Sequence, residues 1–265
     1  SYFDTQHVPK QTSTPASWNI EPAWQDHPII KLYCSFKAAA DSDGEMISVG
    51  RQSHVHKVVT DHGIFFVKQY FQATGISAWF GYSRCEVEIR NIKRFEALGI
   101  RCGNLVAHGI ERKNGRTQRG ILITENVDNS HDLQWIAENA TAFKDRTWRH
   151  KIIDKVALIA RQLHQTNFCH NDFQWRNILV IEETEPTIAL IDCPFGRRFN
   201  WPFFDYRRIK DLANLDEQAR LHLSRSDRLR FFKKYRHISK LNASDKQMIR
   251  IMLARYPNPP RQQIR

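Results

Sequence analysis

Short apolar runs separated by polar turns occupy the first half of the chain and predict a β-meander. The turn 50–53 lies between the first two runs, and the tight turn 61–63 lies between the second and the third. Apolar runs of about four to eight residues bounded by turn residues are typical of antiparallel strands. Two later runs continue the pattern, with the charged hairpin 111–119 between them. The predicted strands are 46–49, 55–59, 64–70, 104–109 and 120–125.

The second half of the chain places apolar residues at helical spacing. In residues 146–166 an apolar stripe recurs every three or four positions, which indicates a helix with one face on the core. Residues 84–98 show similar spacing and end at Gly99, a common helix terminator. Two short apolar runs, 178–181 and 187–191, predict one strand pair among the helices. The other predicted helices are 131–138, 205–215, 226–235 and 245–254.

Composition and charge limit the class of protein. The 265 residues contain no apolar run near the ~18 residues that a membrane span needs, and no secretory signal is visible. The net charge of +12 favours anionic partners: a nucleotide, nucleic acid, anionic lipid or phosphorylated glycan. Five scattered cysteines without a C-x-x-C pair argue against a disulfide framework or zinc site and for a reducing compartment. Cys193 is interpreted as a buried apolar residue rather than a reactive thiol.

One motif in the second half of the chain carries chemistry. Residues 170–177 read H-N-D-F-Q-W-R-N, and Asp192 follows the strand pair that comes next. This spacing matches the catalytic loop and the metal-binding aspartate of the kinase fold. Separate roles for Asp172 as a turn residue and Asp192 as a helix cap are the alternative, but they explain neither the spacing nor the strands. The motif therefore predicts a phosphotransferase.

The residue types of this motif suit phosphoryl transfer, which needs a carboxylate to orient and deprotonate the acceptor hydroxyl and oxygen ligands to hold Mg²⁺ on the phosphates. Asp172 is predicted to be the base, and His170 is predicted to brace the loop by hydrogen bonding. Asn177 and Asp192 are predicted to bind Mg²⁺, which prefers oxygen ligands. ATP is the predicted phosphate donor.

Lys68 lies near the end of the third predicted strand, where a kinase carries the lysine that contacts the nucleotide phosphates. The alternative for a strand lysine is a solvated face, but the order of strand, helix and catalytic loop favours the functional role. A helix glutamate is expected to pair with this lysine, and Glu86 and Glu88 are the candidates. Glu88 shares the inward face of Ile92 and Phe95, whereas Glu86 points roughly 160° away. Glu88 is therefore the predicted partner.

Two further segments predict where the nucleotide binds. The turn 50–53 reads G-R-Q-S and is similar to the short G-K-E-S nucleotide loop of RIO-type kinases, whereas a full G-x-G-x-x-G is absent. Residues 125–127 fall where a kinase links its two lobes, and their backbone is predicted to bind adenine, with the preceding threonine at the back of the pocket. The predicted nucleotide contacts are Gly50, Ser53, Lys68, Thr124, Glu125 and Val127.

The chain resembles the protein-kinase-like superfamily with RIO-like features, and its C-terminal part narrows the resemblance. Residues 88–92 and 98–100 resemble the E-x-R-N-L…L-G-[IV] helix of the RIO branch. Residues 208–215 and 223–235 resemble the C-terminal signature of bacterial lipopolysaccharide core kinases, which phosphorylate heptose or Kdo sugars of the inner core. The resemblance covers residues 46–240.

This resemblance implies an α+β fold with two lobes, an N-terminal lobe with an antiparallel sheet and one helix and a mainly helical C-terminal lobe. The expected organisation is an irregular leader over 1–28, docked in part through Trp18 and Trp24, the N-terminal lobe and hinge over 29–127, and the C-terminal lobe over 128–265. The resemblance also implies ATP, Mg²⁺, a lipid-linked anionic glycan as acceptor, and a cytoplasmic protein peripheral on the inner face of the bacterial inner membrane.

Three departures from protein kinases favour a glycan or small-molecule acceptor. Residues 192–194 read D-C-P in place of D-F-G, Gln174 replaces the lysine two residues after the catalytic aspartate, and residues 193–205 are too few for an ordinary activation segment. A RIO-like protein kinase or a small-metabolite phosphotransferase is the first alternative. A basic nucleic-acid-binding protein is disfavoured, because the chain has no RNA-recognition or helix-turn-helix motif. A pseudokinase scaffold does not explain the complete set of active-site residues.

Basic residues concentrate after Asp192, and aromatic residues follow the strand that carries Lys68. The aromatic stretch 70–82 is interpreted as packing of that strand on the helix, with contact to a bilayer surface as the alternative. Each basic residue alone is most simply a solvated charge, and together they are expected to hold a phosphorylated glycan, since arginine suits carboxylate and phosphate. These residues are Arg197, Arg198, Arg207, Arg208, Arg225, Arg228, Arg230, Lys233 and Lys234.

Overall fold

An antiparallel sheet comes first in the chain, and a mainly helical region follows it, so the predicted α+β fold is confirmed. The computed structural model describes residues 13–14, 16–71, 83–113 and 115–257. Most of the predicted aromatic stretch and the end of the chain lie outside these residues. The described residues form two compact units. One comprises those up to Glu86 together with Asn104–Glu125, and the other comprises Val87–Gly103 together with those from Asn126 onward.

The first unit is built on an antiparallel sheet. Its strands are β1 (Ser13–Thr14), β2 (Asn19–Ile20), β3 (Glu45–Val49), β4 (Ser53–Thr60), β5 (Gly63–Phe71), β6 (Leu105–Lys113) and β7 (Arg116–Glu125). The order is β1-β6-β7-β5-β4-β3, with β2 also on β6. All five predicted strands are confirmed. β6 and β7 run further than predicted, because cross-strand pairs such as Glu111 with Arg119 extend the ladder into the charged hairpin.

The predicted docking of the leader through its two tryptophans is confirmed. The indole N–H of Trp18 donates to Tyr33 O at 2.9 Å, and the ring of Trp24 lies 5.8 Å from that of Phe65 in an edge-on contact. The backbone of the leader approaches β6 closely, since a Cβ on Gly109 would lie 2.2 Å from Ser17 O. The prediction of irregular backbone is wrong for β1 and β2, because strands of two residues carry no readable period.

The segment before β3 supplies core residues that no predicted element contains. Ile29 and Tyr33 are fully buried, and α1 (Phe36–Ala40) buries Phe36 and Ala39 against the sheet. The helix begins at Ser35, whose hydroxyl accepts from Ala38 N at 3.1 Å. Its five residues are too few for a helical period to show in the sequence, so the capping serine is the one local signal.

The second unit is mainly helical, and each predicted helix is found there. Its helices are α2 (Arg84–Ala97, which begins in the first unit), α3 (Leu133–Asn139), α4 (Arg146–Gln165), α5 (Phe203–His222), α6 (Arg225–Arg236) and α7 (Ala243–Arg255). Side-chain caps fix several starts, with Asp145 accepting from Trp148 N at 2.8 Å and Ser224 from Asp227 N at 3.1 Å. α5 extends seven residues beyond its predicted end at Leu215, because its buried residues include the polar Asp211, Asn214 and Asp216, which interrupt the apolar period.

Short strands of the second unit flank the predicted catalytic loop and the segment that contains Asp192. They are β8 (Ser130–Asp132), β9 (Phe168–Cys169), β10 (Ile178–Ile181), β11 (Thr187–Leu190) and β12 (Arg197–Arg198). β10 pairs with β11 and β8, and β12 pairs with β9, all antiparallel. The predicted helix 131–138 is wrong at its start, because residues 131 and 132 pair with β10 and Asp132 instead caps α3 through Trp135 N.

Candidate active site

The predicted catalytic loop joins β9 to β10 in the second unit. Residues 170–177 end in a single 3-10 turn, Trp175–Asn177, directly before β10. The predicted strand pair is confirmed, with Ile178 opposite Leu190. Ile191 N donates to Asn177 O at 3.1 Å. Asp192, the next residue, therefore lies beside the end of the catalytic loop. The fold thus brings together the loop and the aspartate that the sequence places fifteen residues apart.

Within the loop, Asn177 holds the backbone and carboxylate of Asp172. Its amide nitrogen donates to Asp172 O at 2.8 Å and to Asp172 Oδ2 at 3.1 Å. The Arg176 guanidinium lies 3.3 Å from the same carboxylate oxygen. The Asp172 side chain remains 24% exposed, so its carboxylate stays accessible to an acceptor. Because the amide nitrogen is engaged, the side-chain oxygen of the buried Asn177 is the atom left for a cation.

Two residues of the site adopt the left-handed backbone conformation, in which non-glycine residues are uncommon. Asn171 has a φ of 65° and Asp192 a φ of 54°. Asn171 is held there by its amide nitrogen, which donates to Phe195 O at 2.8 Å. Asn and Asp tolerate this region best among residues with a side chain, and such backbone strain concentrates at functional sites.

Asp211 of α5 anchors the catalytic loop, a role that the sequence analysis did not assign. Its fully buried carboxylate accepts from His170 N at 2.7 Å and from Asn171 N at 2.9 Å. His164 Nε2 lies 3.3 Å from the same carboxylate, and His164 Nδ1 lies 2.8 Å from the Tyr235 hydroxyl. These contacts of Asp211, His164 and Tyr235, called the clamp below, therefore connect the catalytic loop to α4, α5 and α6. The signal available in the sequence was an aspartate within the apolar face of a helix.

This clamp has the residue types of a metal site but the bonding of a structural one. The ligand atoms of His164, Cys169 and Asp211 lie within 4.8 Å of one another. Burial, reinforced by Asp211, raises the pKa of the Cys169 thiol, so this cysteine keeps its proton. Both carboxylate oxygens of Asp211 already accept backbone N–H groups. We therefore interpret these three residues as a structural cluster and not as a metal site.

His170 hydrogen-bonds through its backbone N–H to Asp211, and its ring stacks on neighbouring aromatic rings, so its predicted role in bracing the loop stays a prediction. Its ring is fully buried, and among the described residues neither ring nitrogen has a hydrogen-bond partner. The ring lies 5.1 Å from that of Phe173, nearly parallel to it, and 6.3 Å from that of Phe95. Burial lowers the pKa of His170, an effect that nearby Asp211 opposes.

Replacement of His170 with Phe is expected to reduce the acid sensitivity of folding. Because the pKa of His170 is lowered in the folded state, its contribution is present above the unfolded pKa and is lost as the pH falls below it. The wild-type free energy of unfolding should therefore fall from pH 7 to pH 5 more steeply than that of His170→Phe, by at most about 1.4 kcal/mol per pH unit. Urea unfolding across this range measures it. Equal slopes would contradict the buried neutral ring, and exposed His62→Phe is the control.

Asn91 of α2 fixes the segment that follows Asp192. Its side chain is 1% exposed, and its amide nitrogen donates to Cys193 O and to Gly196 O, both at 2.8 Å. Gly196 has no room for a side chain, since a Cβ would lie 2.4 Å from Cys193 Sγ and 2.5 Å from the Phe168 ring. Burial raises the pKa of Cys193 well above its usual value. The interpretation of Cys193 as a buried apolar residue is confirmed.

Replacement of Asn91 with Ala is expected to lower the free energy of unfolding by roughly 2–4 kcal/mol, because two buried carbonyl groups lose their donor. Asn104→Ala is the matched control, since Asn104 makes an exposed hydrogen bond to Glu125, and it should cost less than about 1 kcal/mol. Chemical unfolding of both variants measures the difference. Equal losses would show that the Asn91 hydrogen bonds do not hold this segment.

The two candidate glutamates of α2 have different environments. Glu86 accepts from Ser83 N at 3.0 Å and from Ser83 Oγ at 2.8 Å, and it forms an ion pair with Arg112. The Glu86 carboxylate therefore stabilises the start of α2. Glu88 is 3% exposed, and burial, reinforced by the charge of Glu88, raises the pKa of the Cys193 thiol. Glu88 remains the better candidate for the lysine partner. Its pairing with Lys68, which belongs to the first unit, stays a prediction.

The predicted nucleotide contacts of the first unit lie on the strands that the sequence indicated. Lys68 is 8% exposed on β5, opposite Val55 of β4 and Leu122 of β7, and its ammonium lies 5.2 Å from the centre of the Tyr70 ring. The turn before β4 is closed by a hydrogen bond from Gly50 N to Ser53 O at 2.7 Å.

The predicted adenine contacts follow one another along the chain. Thr124 and Glu125 end β7, and Glu125 accepts a hydrogen bond from Asn104 at 2.7 Å. Val127 belongs to the second unit, where it packs against Ile181 and its carbonyl accepts from Ser130 Oγ at 2.6 Å. Their role in nucleotide binding stays a prediction.

The predicted basic cluster divides into residues that serve packing and residues that face solvent. Arg228 makes two hydrogen bonds to Asp216, and Arg230 makes two to Asp154, all between 2.6 and 2.8 Å. These arginines hold α6 against α5 and α4. Arg197 and Arg198 of β12 are exposed, and they immediately follow the segment that Asn91 fixes.

A loop of this geometry, with an aspartate that follows a strand pair and a lysine on β5 of an antiparallel sheet, is typical of the kinase-like fold. Residues 53–235, more than half of the chain, match the lipopolysaccharide kinase (Kdo/WaaP) family, and the chain belongs to that family. A solved structure titled as WaaP in complex with acyl carrier protein shares the fold, with a TM-score of 0.71 over 91% of this chain and 98% of that chain, at 18% identity.

Two curated relatives named 3-deoxy-D-manno-octulosonic acid kinase match part of the chain. The protein of Actinobacillus succinogenes is 27% identical over 103 residues, which are 39% of this chain and 40% of the relative. The protein of Haemophilus influenzae is 29% identical over 112 residues, which are 42% of this chain and 44% of the relative. The matched segments thus span less than half the length of these relatives.

Proposed function

We propose that this protein transfers the γ-phosphate of ATP to a sugar hydroxyl of the lipopolysaccharide inner core. The observation that carries the proposal is the accessible Asp172 carboxylate, which accepts from Asn177 in a loop whose backbone is held by Asp211, in a member of the Kdo/WaaP family. Kdo is the preferred acceptor, since two partial relatives are named for that sugar, and heptose is the second candidate.

In this proposal the nucleotide contacts are the residues that the sequence predicted. Lys68, supported by Glu88, contacts the phosphates, together with the turn from Gly50 to Ser53. Backbone groups of Glu125 and Val127 bind adenine, and Thr124 lies at the back of that pocket. These assignments rest on strand position and on the burial of Lys68 and Glu88, which suits a lysine and a glutamate that are not simply solvated.

The donors present suit Mg²⁺, which would neutralise charge on the phosphates when bound. The Asn177 side-chain oxygen and the Asp192 carboxylate are the ligands in this proposal. The hydrogen bond from the Asn177 nitrogen to Asp172 directs the amide oxygen away from the base. The left-handed backbone of Asp192 turns the chain directly after β11.

The chemical step needs one base. The sugar oxygen bonds to the γ-phosphorus, the bond from that phosphorus to the bridging oxygen of ADP breaks, and the hydroxyl proton passes to Asp172. Arg176 and Asn177 contact the Asp172 carboxylate and keep it oriented. Orientation of this kind is most of what a protein contributes to phosphoryl transfer.

We propose that the protein acts at the cytoplasmic face of the inner membrane as a peripheral protein, because its acceptor is lipid-linked. Among the described residues, no helix combines the length and the apolar character needed to cross a bilayer. The net charge of +12 suits an anionic glycan or lipid surface.

Phosphate transfer from γ-labelled ATP, with Mg²⁺, to a panel of acceptors tests the proposed function. The panel comprises lipopolysaccharide stripped of its phosphates, a general protein acceptor and free sugars. Label on the core glycan is the expected result, and hydrolysis of the product identifies the sugar. Label on protein or on a free sugar alone would instead indicate the RIO-like kinase or the small-metabolite phosphotransferase. Absence of ATP binding would contradict all three.

A further inference from the structure

We propose that the start of α5 forms a docking surface for an anionic lipid bilayer. The surface, called the aromatic–basic surface below, consists of Trp201, Phe203, Tyr206, Arg207 and Lys210. It deepens the proposed function, on which it partly rests, by naming the part of the protein that meets the membrane in which a lipid-linked acceptor is anchored.

The aromatic side chains of this surface are unusually exposed. Trp201 is 82% exposed, Phe203 68% and Tyr206 56%, and Trp201 is the most exposed of the large hydrophobic side chains in the described part of the protein. Single exposed apolar residues are common on proteins and need no explanation. Three large aromatic residues within six positions form a patch, and patches of this kind mark sites of interaction with a partner or a membrane.

Helical spacing places the aromatic and basic residues on one side of α5. Phe203, Tyr206 and Lys210 recur at intervals of three and four, so they share a face. The opposite side is turned inward, because the Phe204 ring lies 6.2 Å from that of His164. The aromatic–basic surface is therefore the outward side of a helix whose inward side carries the clamp on the catalytic loop.

Contacts between its own residues and α7 hold this surface in shape. The Arg207 guanidinium lies 5.3 Å from the Phe199 ring and 5.9 Å from the Tyr206 ring. Arg255 of α7 lies 5.1 Å from the Tyr206 ring and donates to its hydroxyl at 3.3 Å. Pre-formed surfaces lose less conformational entropy on binding than mobile ones.

Charge decides in favour of an anionic bilayer as the occupant. Residues 195–210 contain five basic residues and one acidic residue, Asp205, which pairs with Arg208 at 2.7 Å. Tryptophan and tyrosine are the residues that favour the interface between lipid and water, and nearby arginine and lysine are attracted to anionic headgroups. The combination of exposed aromatic rings with positive charge and without a second acidic group is that of an interfacial surface.

The position of the surface suits an enzyme that works on a lipid-linked acceptor. β12 pairs with β9, which leads into the catalytic loop, and Phe199 N donates to Asn167 O at 2.9 Å. The chain therefore passes from the segment after Asp192 directly to Trp201. Only a few residues of ordered backbone therefore separate Trp201, where the bilayer would bind, from the segment after Asp192.

Vesicle flotation of the full chain, without nucleotide, tests this inference. Binding is expected to vesicles of phosphatidylcholine with phosphatidylglycerol, and not to phosphatidylcholine alone, and it should weaken with salt. The triple variant Trp201→Ala, Phe203→Ala, Tyr206→Ala should lower the partition coefficient by at least roughly tenfold, because buried apolar area is lost. Arg207→Gln and Lys210→Gln should each lower it by about fivefold.

Matched controls use equivalent residues elsewhere. The triple variant Trp135→Ala, Val59→Ala, Leu158→Ala removes three exposed apolar side chains, and Lys144→Gln with Lys240→Gln removes two exposed basic residues that lie outside the predicted basic cluster. Both controls should bind as the wild type does. The inference is overturned if the wild type ignores anionic vesicles, or if the two triple variants bind equally. Competition by deacylated core glycan would instead show that the surface recognises the glycan.

The assay separates this inference from the proposed function. A protein that binds anionic vesicles through the aromatic–basic surface and transfers no phosphate contradicts the proposed function alone. A protein that phosphorylates a soluble core glycan and ignores vesicles overturns the docking surface alone.

Discussion

Replacement of Asp172 with Ala is expected to lower the turnover of phosphoryl transfer by roughly 10²–10⁴-fold, the usual contribution of a general base. Asp172 is the acid of the catalytic loop whose carboxylate is both accessible and held by neighbouring donors, from Asn177 at 3.1 Å and Arg176 at 3.3 Å. Its loss removes the group that receives the hydroxyl proton. The dissociation constant for ATP should change little, because Asp172 acts on the acceptor.

The companion variant Asp172→Asn separates the charge from the geometry. An asparagine oxygen can still accept from Asn177, so the loop should keep its shape while the base is lost, and turnover should fall as far as in the alanine variant. Asp61→Asn, in the turn before β5, is the control and should retain full turnover. Steady-state kinetics measure the turnover of each variant, and separate measurements give its dissociation constant for ATP. Turnover near the wild-type value in either Asp172 variant would remove the residue from the mechanism.

Replacement of Asp211 with Ala is expected to lower the free energy of unfolding by roughly 3–5 kcal/mol, because three donors, two of them in buried hydrogen bonds, lose their acceptor at once. Two of them are the N–H groups of His170 and Asn171, and the third is the ring of His164. The loop should also lose its fixed backbone, so the folded fraction of the variant should turn over more slowly than the wild type.

The control for Asp211 is Asp41→Ala. Asp41 forms an exposed ion pair with Lys37 of α1, and such pairs contribute about 1 kcal/mol or less. Urea unfolding of both variants, followed by circular dichroism, gives the comparison. A loss below about 1 kcal/mol for Asp211→Ala would mean that the clamp does not stabilise the loop.

Local patterns predicted the elements that are long enough to show a period. The five strands of the first sheet, the helix α4 and the strand pair before Asp192 all follow from runs of apolar residues. The elements that were missed are short. α1 has five residues and β2 has two, and both gain their stability from contacts that the sequence does not display, such as Trp18 with Tyr33.

The supporting residues of the site were missed for a related reason. Asp211 contacts residues about forty positions earlier, and Asn91 contacts a carbonyl 102 positions later. Neither contact can be predicted from the pattern of residues that are neighbours in the sequence. His170 shows the reverse case, since the motif gave its position, whereas the stacking of its ring on Phe173 could not be predicted from the sequence.

The roles of Lys68, Glu88 and the nucleotide contacts stay predictions. Lys68 and Glu88 are both buried, and Glu86 is engaged at the start of α2. Gly50, Ser53, Thr124, Glu125 and Val127 lie on the predicted strands, turn and connection.

Mass spectrometry of a dephosphorylated lipopolysaccharide core glycan, incubated with ATP and Mg²⁺ and either the wild type or Asp172→Ala, tests the central claim most directly. The account predicts one added phosphate on a Kdo or heptose residue with the wild type and none with the variant. Phosphate addition by both proteins would contradict the role of Asp172. Addition by neither, from a wild type that binds ATP, would contradict the glycan as the acceptor.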